Sequence, residues 1–165
     1  MSFPFGPPEP LTAQHQLADF DCGETVLDDW LKRRALTNHL SGASRSFVVA
    51  DPHHRVYGFY ALAAGAVAQR EATSAVRRNR PDPVPVMGRA RRAVDKRAEG
   101  IRLGAALLRD AVERALTVAQ NAGVRALLVH ASNDRAKQFY LHYGFQASPI
   151  HPMTLMLRLP KACAL

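Results

Sequence analysis

The sequence predicts a mixed α/β (α+β) fold in which helices pack on a mixed central β-sheet. Three observations indicate this: strand-like and helix-like segments alternate, hairpin patterns lie towards both ends, and residues 126–130 form a short apolar run typical of a buried central strand. The 165 residues are enough for one hydrophobic core and too few for two. We therefore expect residues 1–165 to form a single domain.

The first half of the chain predicts a helix followed by a hairpin. Leu27, Leu31 and Ala35 recur at helical spacing, which indicates an amphipathic helix over residues 25–40. Residues 46–50 and 56–67 have the composition of strands, and the segment between them, residues 51–54, is typical of a turn.

The second half predicts two further helices and two strands. Apolar residues keep a helical period from Gly104 until Gly123, which is expected to end that helix. After the apolar strand, Asn133 is a good N-cap for a helix over residues 134–143. Residues 153–159 then predict a last strand.

The chain is basic, and its charged residues are unevenly distributed. The formal net charge is +8 and the isoelectric point about 10.2. Residues 77–102 alone hold nine Lys or Arg against three Asp or Glu, whereas residues 1–50 hold four against six. Such a segment favours a face that binds polyanions or phosphate-bearing cofactors, although a solvated surface with local ion pairs is the alternative.

Cysteine usage and the termini predict a soluble cytoplasmic protein. Cys22 and Cys163 stand far apart and form no metal-ligand spacing, so we expect no metal and a reducing compartment. Residues 1–10 lack the pattern of a secretory signal, and the weakly polar run 57–68 is too short to span a bilayer.

A basic, glycine-containing loop leads into the helix that follows Gly104. Residues 95–108 read DKRAEGIRLGAALL. A helix start of this kind presents unpaired backbone N–H groups and the positive end of the helix dipole, which together hold a phosphate. A tight connection without a ligand is the alternative for this segment alone.

A second motif follows about thirty residues later. Residues 132–145 read SNDRAKQFYLHYGF and resemble the N-A-x-x-F-Y-x-x-x-G-F pattern of GNAT acetyltransferases. Residues 19–23, 41–47, 60–62 and 151–156 extend the likeness to the GNAT toxins of bacterial toxin–antitoxin pairs over almost the whole chain.

The resemblance implies a GNAT fold and a toxin that acetylates the α-amine of aminoacyl-tRNA with acetyl-CoA and so blocks translation. It also implies a homodimer, no membrane association, and a DNA-binding antitoxin of the ribbon-helix-helix type. The implied cofactor-binding residues are Ala93, Val94, Asp95, Arg97, Glu99, Gly100, Ile101, Arg102, Leu103, Gly104, Ala105, Asn133, Ala136 and Phe139.

Tyr140 matches the tyrosine of the family and is the candidate catalytic residue. An α-amine titrates at about 7.7 to 8.0, so the reaction needs an acid for the departing thiolate more than a strong base. A core aromatic is the alternative role for Tyr140, and it is the role expected of Tyr143 and Phe145. His130, at the end of the apolar strand, is expected to be structural, with orientation of the amine as the alternative.

Arginines are the candidates for contact with tRNA phosphates. We expect Arg77, Arg78, Arg80 and Arg91 to position the acceptor end without reading its sequence, with help from residues 32–34. Contact with an acidic antitoxin is the alternative use of the same surface.

The stretch 86–95 departs most from the family. In the ungapped register Arg92 replaces a leucine, and in a second register Gly88 and Arg89 align with two residues looped out. We expect an irregular strand and weakened acetyl-CoA binding, because a buried arginine without a partner is expensive. Glu99 replaces the usual glutamine and Arg102 the usual glycine, so their charges oppose each other.

Three rival functions remain at this point. One is a GNAT enzyme that acetylates a small amine or a protein N-terminus. The others do not require catalysis: a nucleic-acid-binding module, or a weakened toxin homologue that only binds antitoxin.

Overall fold

The computed structural model describes residues 5–78 and 82–160, with Arg89 and Ala90 described by their backbone alone. Within these residues seven strands form one mixed sheet in the order β1-β2-β3-β4-β5-β7-β6. The strands are β1 (Glu9–Pro10), β2 (Arg45–Ala50), β3 (Val56–Val67), β4 (Val84–Val94), β5 (Ala126–His130), β6 (Gln146–Ala147) and β7 (Thr154–Arg158). The helices are α1 (Thr25–Arg33), α2 (Ala35–Ser41), α3 (Ser74–Arg77), α4 (Leu103–Ala122) and α5 (Asp134–His142). The predicted fold class is confirmed.

The helix predicted over residues 25–40 is two helices. Arg34, with φ −125° and ψ −26°, interrupts the helical backbone between α1 and α2. The change of direction lets both Leu31 and Ala35 be fully buried, and it brings His39 of α2 to β2, where its Nδ1 accepts the backbone N–H of Ser46 at 3.0 Å.

The predicted hairpin is present as β2 and β3, which pair antiparallel with Phe47 opposite Tyr60. Asp51 holds the turn because its Oδ1 accepts the backbone N–H groups of His53 and Arg55. His54 completes the turn with a φ of 66°, in the left-handed region that few residues other than glycine occupy readily.

The described pairing of β4 with β5 is regular and covers the first part of the stretch that was expected to be irregular. The two strands are parallel, and Met87, Gly88 and Arg89 face Leu127, Leu128 and Val129 in an even register. The pairing ends at Arg89, before residues 90–92, where the second register places the looped-out residues, so that part of the expectation stays a prediction.

The chain divides into two compact units. The first comprises Met1–Ala63 and Ala90–Ala111. One apolar cluster of this unit is formed by residues from β2, β3, α1, α2, the end of β4 and the segment before α1: Leu11, Phe20, Leu31, Ala35, Val48, Val56, Phe59 and Ala93.

The second unit comprises Ala64–Arg89 and Val112–Leu165. One apolar cluster of this unit joins α3 to its strands, with Ala72, Val76, Val84, Val86, Ala126, Leu128 and Met156 buried together. None of the described helices combines the length and apolar composition needed to cross a bilayer.

Candidate functional site

The loop between β4 and α4 lies in the first unit and has two turns of unusual backbone. After a 3₁₀ turn at Lys96–Ala98, Gly100 has a φ of 85° and Arg102 a φ of 60°. Glycine adopts such angles freely, whereas arginine does so at a cost. α4 begins at the next residue, Leu103, so the two left-handed residues set the direction in which the helix starts.

The backbone N–H groups of this loop fall into two sets. Those of Arg97, Ala98 and Glu99 donate to oxygens of Asp95 and Lys96. In the described part of the chain, no hydrogen bond is recorded for the N–H groups of residues 100–105. Consecutive unpaired amides at the start of a twenty-residue helix form a cradle for an anion. We call residues 100–105 the amide cradle.

Asp95 and Arg97 support the loop with their side chains. The Asp95 carboxylate is buried and accepts the backbone N–H of Asp21 at 2.9 Å, and it also accepts Nε and Nη2 of Arg97 at 2.9 and 3.0 Å. Burial alone would raise the pKa of Asp95, but the hydrogen bonds from Arg97 and Asp21 outweigh it and hold the pKa below its usual value.

The Arg97 guanidinium also lies over the Tyr57 ring, 4.5 Å from its centroid. Asp95 and Arg97 are both among the expected cofactor contacts. Their charged groups bind each other, and this pair holds the backbone of the loop.

The segment before α1 anchors the same loop, a role that the sequence did not reveal. The backbone N–H of Lys96 donates to the carbonyl of Asp21 at 2.9 Å, and Asp21 in turn donates to Asp95. The N–H of Cys22 donates to Asp28 of α1 at 2.9 Å. The family-like residues 19–23 therefore tie the start of the loop to α1.

The arginines at the end of β4 point to different partners. Arg91, expected to contact tRNA, has its guanidinium 4.9 Å from the centre of the Trp30 ring. Arg92 donates from Nη1 to the carbonyl of Gly104 at 3.5 Å, and burial lowers its pKa. A Cβ at Gly104 would lie 2.9 Å from that Nη1, so this glycine makes room for Arg92. The arginine expected to be buried without a partner therefore has one.

In the second unit α5 places Tyr140. Asn133 caps the helix, since its Oδ1 accepts the backbone N–H of Ala136 at 2.8 Å. The Tyr140 ring is buried, with the Phe139 and Phe145 rings each 5.4 Å away between centroids. These contacts fix the position of the ring, which both a core aromatic and a positioned acid require.

The remaining candidates are exposed. His130 of β5 lies with its Nδ1 3.0 Å from the Thr154 hydroxyl. Arg77 and Arg78 are exposed at the end of α3 in the second unit, and residues 32–34 are exposed at the end of α1 in the first. Arg80 lies outside the described residues.

A cluster of Glu9, His15 and His54 brings potential metal ligands together, each with one ligand atom within 4.8 Å of the others. The backbone N–H of Thr12 donates to Nδ1 of His15 at 2.9 Å, so the ring proton sits on Nε2, which donates to Glu9 at 2.7 Å. A metal at Nε2 would require an imidazole without any ring proton. The cluster is therefore a hydrogen-bonded support for the turn.

Comparison with known proteins relates these features to a family. No protein-family model matches the chain. Over 161 residues the chain is 47% identical to a tRNA-acetylating toxin of Mycobacterium tuberculosis, covering 98% of this chain and 96% of that protein. This chain belongs to the family of tRNA-acetylating toxins. A probable toxin TacT of Sinorhizobium fredii is 29% identical over 162 residues, covering 90% of this chain and 88% of that one.

Solved structures of GNAT-type toxins share the fold of this family member. AtaT complexed with acetyl-methionyl-tRNAfMet has a TM-score of 0.85 at 25% identity, covering 92% of this chain and 93% of that chain. AtaTR bound with AcCoA has a TM-score of 0.77 at 26% identity, with 92% of each chain covered. The KacTA–DNA complex has a TM-score of 0.75 at 25% identity, covering 92% and 91%. The expected GNAT toxin fold is confirmed.

Proposed function

We propose that this chain transfers an acetyl group from acetyl-CoA to the α-amine of an aminoacyl-tRNA and thereby blocks translation. The observation that carries the proposal is the amide cradle at the start of α4, found in a member of the tRNA-acetylating toxins. Unpaired amides at a helix start fit the pyrophosphate of acetyl-CoA, because they donate to phosphate oxygens and stand at the positive end of the helix dipole.

Acetyl-CoA supplies the acetyl group as a reactive thioester when it is bound. The amide cradle holds its pyrophosphate, while Asp95 and Arg97 keep the cradle in shape through the contacts described above. Ala93 and Val94 lead directly into this loop and lie where the resemblance puts the pantetheine arm.

Tyr140 holds a proton at its Oη for the sulfur that leaves. A phenol is protonated near neutral pH, so Tyr140 can donate when negative charge develops on the thiolate. The Phe139 and Phe145 contacts prevent the ring from turning away. Because an α-amine is partly neutral at cytosolic pH, the chain needs no strong base at the site.

Two groups of basic residues, one on each unit, supply affinity for tRNA. Arg77 and Arg78 are exposed on one unit and residues 32–34 on the other, and each group can bind phosphates without reading bases. We further propose a cytoplasmic homodimer with a DNA-binding antitoxin of the ribbon-helix-helix type. The antitoxin part is supported by two solved structures of AtaT: one has the toxin bound to the C-terminus of the antitoxin AtaR, and the other has the AtaT–AtaR complex bound to DNA.

The test is acetyl transfer with purified full-length protein. Labelled acetyl-CoA is offered with total aminoacyl-tRNA, with the same tRNA after deacylation, and with free amino acids. We expect label on the aminoacylated tRNA alone. Label on free amines would favour the small-amine enzyme, and acetyl-CoA binding without any transfer would favour a weakened toxin that only binds antitoxin.

A further inference from the structure

Tyr57, near the start of β3, contacts the loop between β4 and α4 in two ways. Its backbone carbonyl accepts the N–H of Asp95 at 2.8 Å. The Arg97 guanidinium lies over its ring, 4.5 Å from the ring centre, and the same guanidinium binds the Asp95 carboxylate. Tyr57 therefore contacts both members of the pair that holds the loop.

This pair depends on where the Arg97 side chain is held. The Asp95 side chain is 1% exposed and the Arg97 side chain 42% exposed, so water competes with Asp95 for the guanidinium. Removing the cation from a buried carboxylate is costly. A cation is attracted to the face of an aromatic ring, so the Tyr57 ring favours the arrangement in which Arg97 stays on Asp95.

Phe5 holds the Tyr57 ring from the N-terminal segment of the same unit. The two rings stack with 4.7 Å between centroids and 29° between planes, and both residues are partly buried. The strand pairing explains how Phe5 reaches this position. Because β1 runs antiparallel to β2, the residues before β1 extend towards the end of β2 at which β3 begins.

We propose that Tyr57 and Phe5 are positioning residues for acetyl-CoA, because their stacked rings keep Arg97 on Asp95 and so keep the amide cradle in the shape that binds the cofactor. This inference rests on the proposed function. Neither ring is assigned a contact with acetyl-CoA, and both act on its affinity through Arg97. The stack also gives a function to the segment before β1, for which the sequence predicted none.

The first test compares Tyr57→Leu with the matched control Tyr57→Phe. Leucine removes the aromatic face, so acetyl-CoA should bind about three-fold more weakly in calorimetric titration. Phenylalanine keeps that face and loses only the hydroxyl, which donates to Asp51 at 3.2 Å. Tyr57→Phe should therefore have the acetyl-CoA affinity of the unaltered protein, even at a lower Tm.

The same comparison is made at the other ring of the stack. Phe5→Leu should weaken acetyl-CoA binding by about two-fold, since the aromatic pair that holds Tyr57 is lost. Phe5→Tyr keeps the pair and should restore the affinity. In acetyl transfer both leucine variants should raise KM for acetyl-CoA and leave kcat unchanged. A lower kcat with an unchanged KM would place the rings at the reaction and contradict a positioning role.

A double variant separates action through Arg97 from a general effect on folding. Arg97→Gln removes the cation on which the ring acts, so adding Tyr57→Leu to it should cause no further loss of acetyl-CoA affinity. Losses that multiply in the double variant would show that Tyr57 acts by another route, and they would overturn the inference.

Failure of the inference differs from failure of the proposed function. Acetyl-CoA binding that is equal in the unaltered protein, Tyr57→Leu and Tyr57→Phe would remove the role of the stacked rings and leave the proposed function intact. If the unaltered protein did not bind acetyl-CoA, the proposed function itself would fail.

Discussion

The loop after β4 and helix α5 contribute to the proposed reaction in opposite ways. In the loop we propose that the backbone of residues 100–105 provides the binding groups, and the side chains of Asp95 and Arg97 support it. In α5 the backbone is occupied by helical hydrogen bonds and by the Asn133 cap, and we propose that the side chain of Tyr140 provides the chemistry. A motif residue can thus matter for its amide, its partner or its own functional group.

This difference predicts separate kinetic effects. Substitutions that disturb the loop should act on acetyl-CoA affinity, whereas loss of the Tyr140 hydroxyl should act on turnover.

The largest effect is expected for Tyr140→Phe. The variant keeps the ring between Phe139 and Phe145 but removes the proton donor, so kcat should fall by about 100-fold or more. The Kd for acetyl-CoA should stay within about two-fold, because the hydroxyl acts when thiolate charge develops. Steady-state kinetics and calorimetric titration measure the two. A normal kcat would leave Tyr140 as a core aromatic.

Asp95→Asn is expected to have the next largest effect, and this effect should be on acetyl-CoA affinity rather than on turnover. The amide cannot accept the same hydrogen bonds from Arg97 and Asp21, so the loop should lose its fixed shape and acetyl-CoA should bind about ten-fold more weakly. The fall in kcat/KM should come mainly from KM.

Asp51→Asn is the control for that experiment. Like Asp95, Asp51 accepts hydrogen bonds from a turn and from an arginine, Arg55. Burial would raise the pKa of the Asp51 carboxyl, but the hydrogen bonds from Arg55 lower it to about 2. The Asp51→Asn substitution should reduce stability without changing acetyl-CoA affinity. Equal effects of the two variants on acetyl-CoA binding would contradict the specific role of Asp95.

A double variant, Arg77→Glu with Arg78→Glu, tests the proposed tRNA contacts. We expect tRNA affinity to fall about five-fold near physiological salt, with the salt slope reduced by roughly one to two as phosphate contacts are lost. Acetyl-CoA affinity should not change. A tRNA salt slope equal to that of the unaltered protein would place the tRNA surface elsewhere.

The smallest effect is expected for His39, which stabilises the fold outside the loop after β4 and outside helix α5. Burial, and to a smaller extent the charge of Arg45, lowers the pKa of His39, whose Nδ1 accepts the N–H of Ser46. The neutral ring is favoured in the folded state, so this contribution is complete above pH 6.5, the ordinary histidine value, and declines as the pH falls below it.

His39→Gln should therefore be less stable than the unaltered protein at pH 7.5, with the difference in Tm shrinking by pH 5. Thermal unfolding at both values measures it. A difference that grows as the pH falls would reverse the assigned protonation state.

Sequence predicted those parts of the fold that depend on neighbouring residues. The β2–β3 hairpin, β5, the Asn133 cap and the end of α4 at Gly123 all follow from local patterns, and the structure has them. The two-residue strands β1 and β6 are too short to leave a pattern. The interruption at Arg34 depends on where His39 meets β2, which no helical period records.

The sequence predicted where the candidate site lies better than it predicted what each residue does there. The loop, α5 and their motifs were identified, whereas the support of Asp95 by Asp21 joins residues far apart in the chain. Arg92 was expected to lack a partner because its contact with Gly104 depends on how α4 begins. The left-handed backbone of Arg102 is likewise visible only in three dimensions.

The most direct test of the proposed acetyl transfer is mass spectrometry of tRNA from cells expressing the unaltered protein or Tyr140→Phe, after nuclease digestion to the 3′-terminal aminoacyl-adenosine. We expect N-acetylated aminoacyl-adenosine with the unaltered protein and a strong reduction with Tyr140→Phe at equal protein levels. Growth arrest by the unaltered protein with every aminoacyl group unacetylated would contradict it.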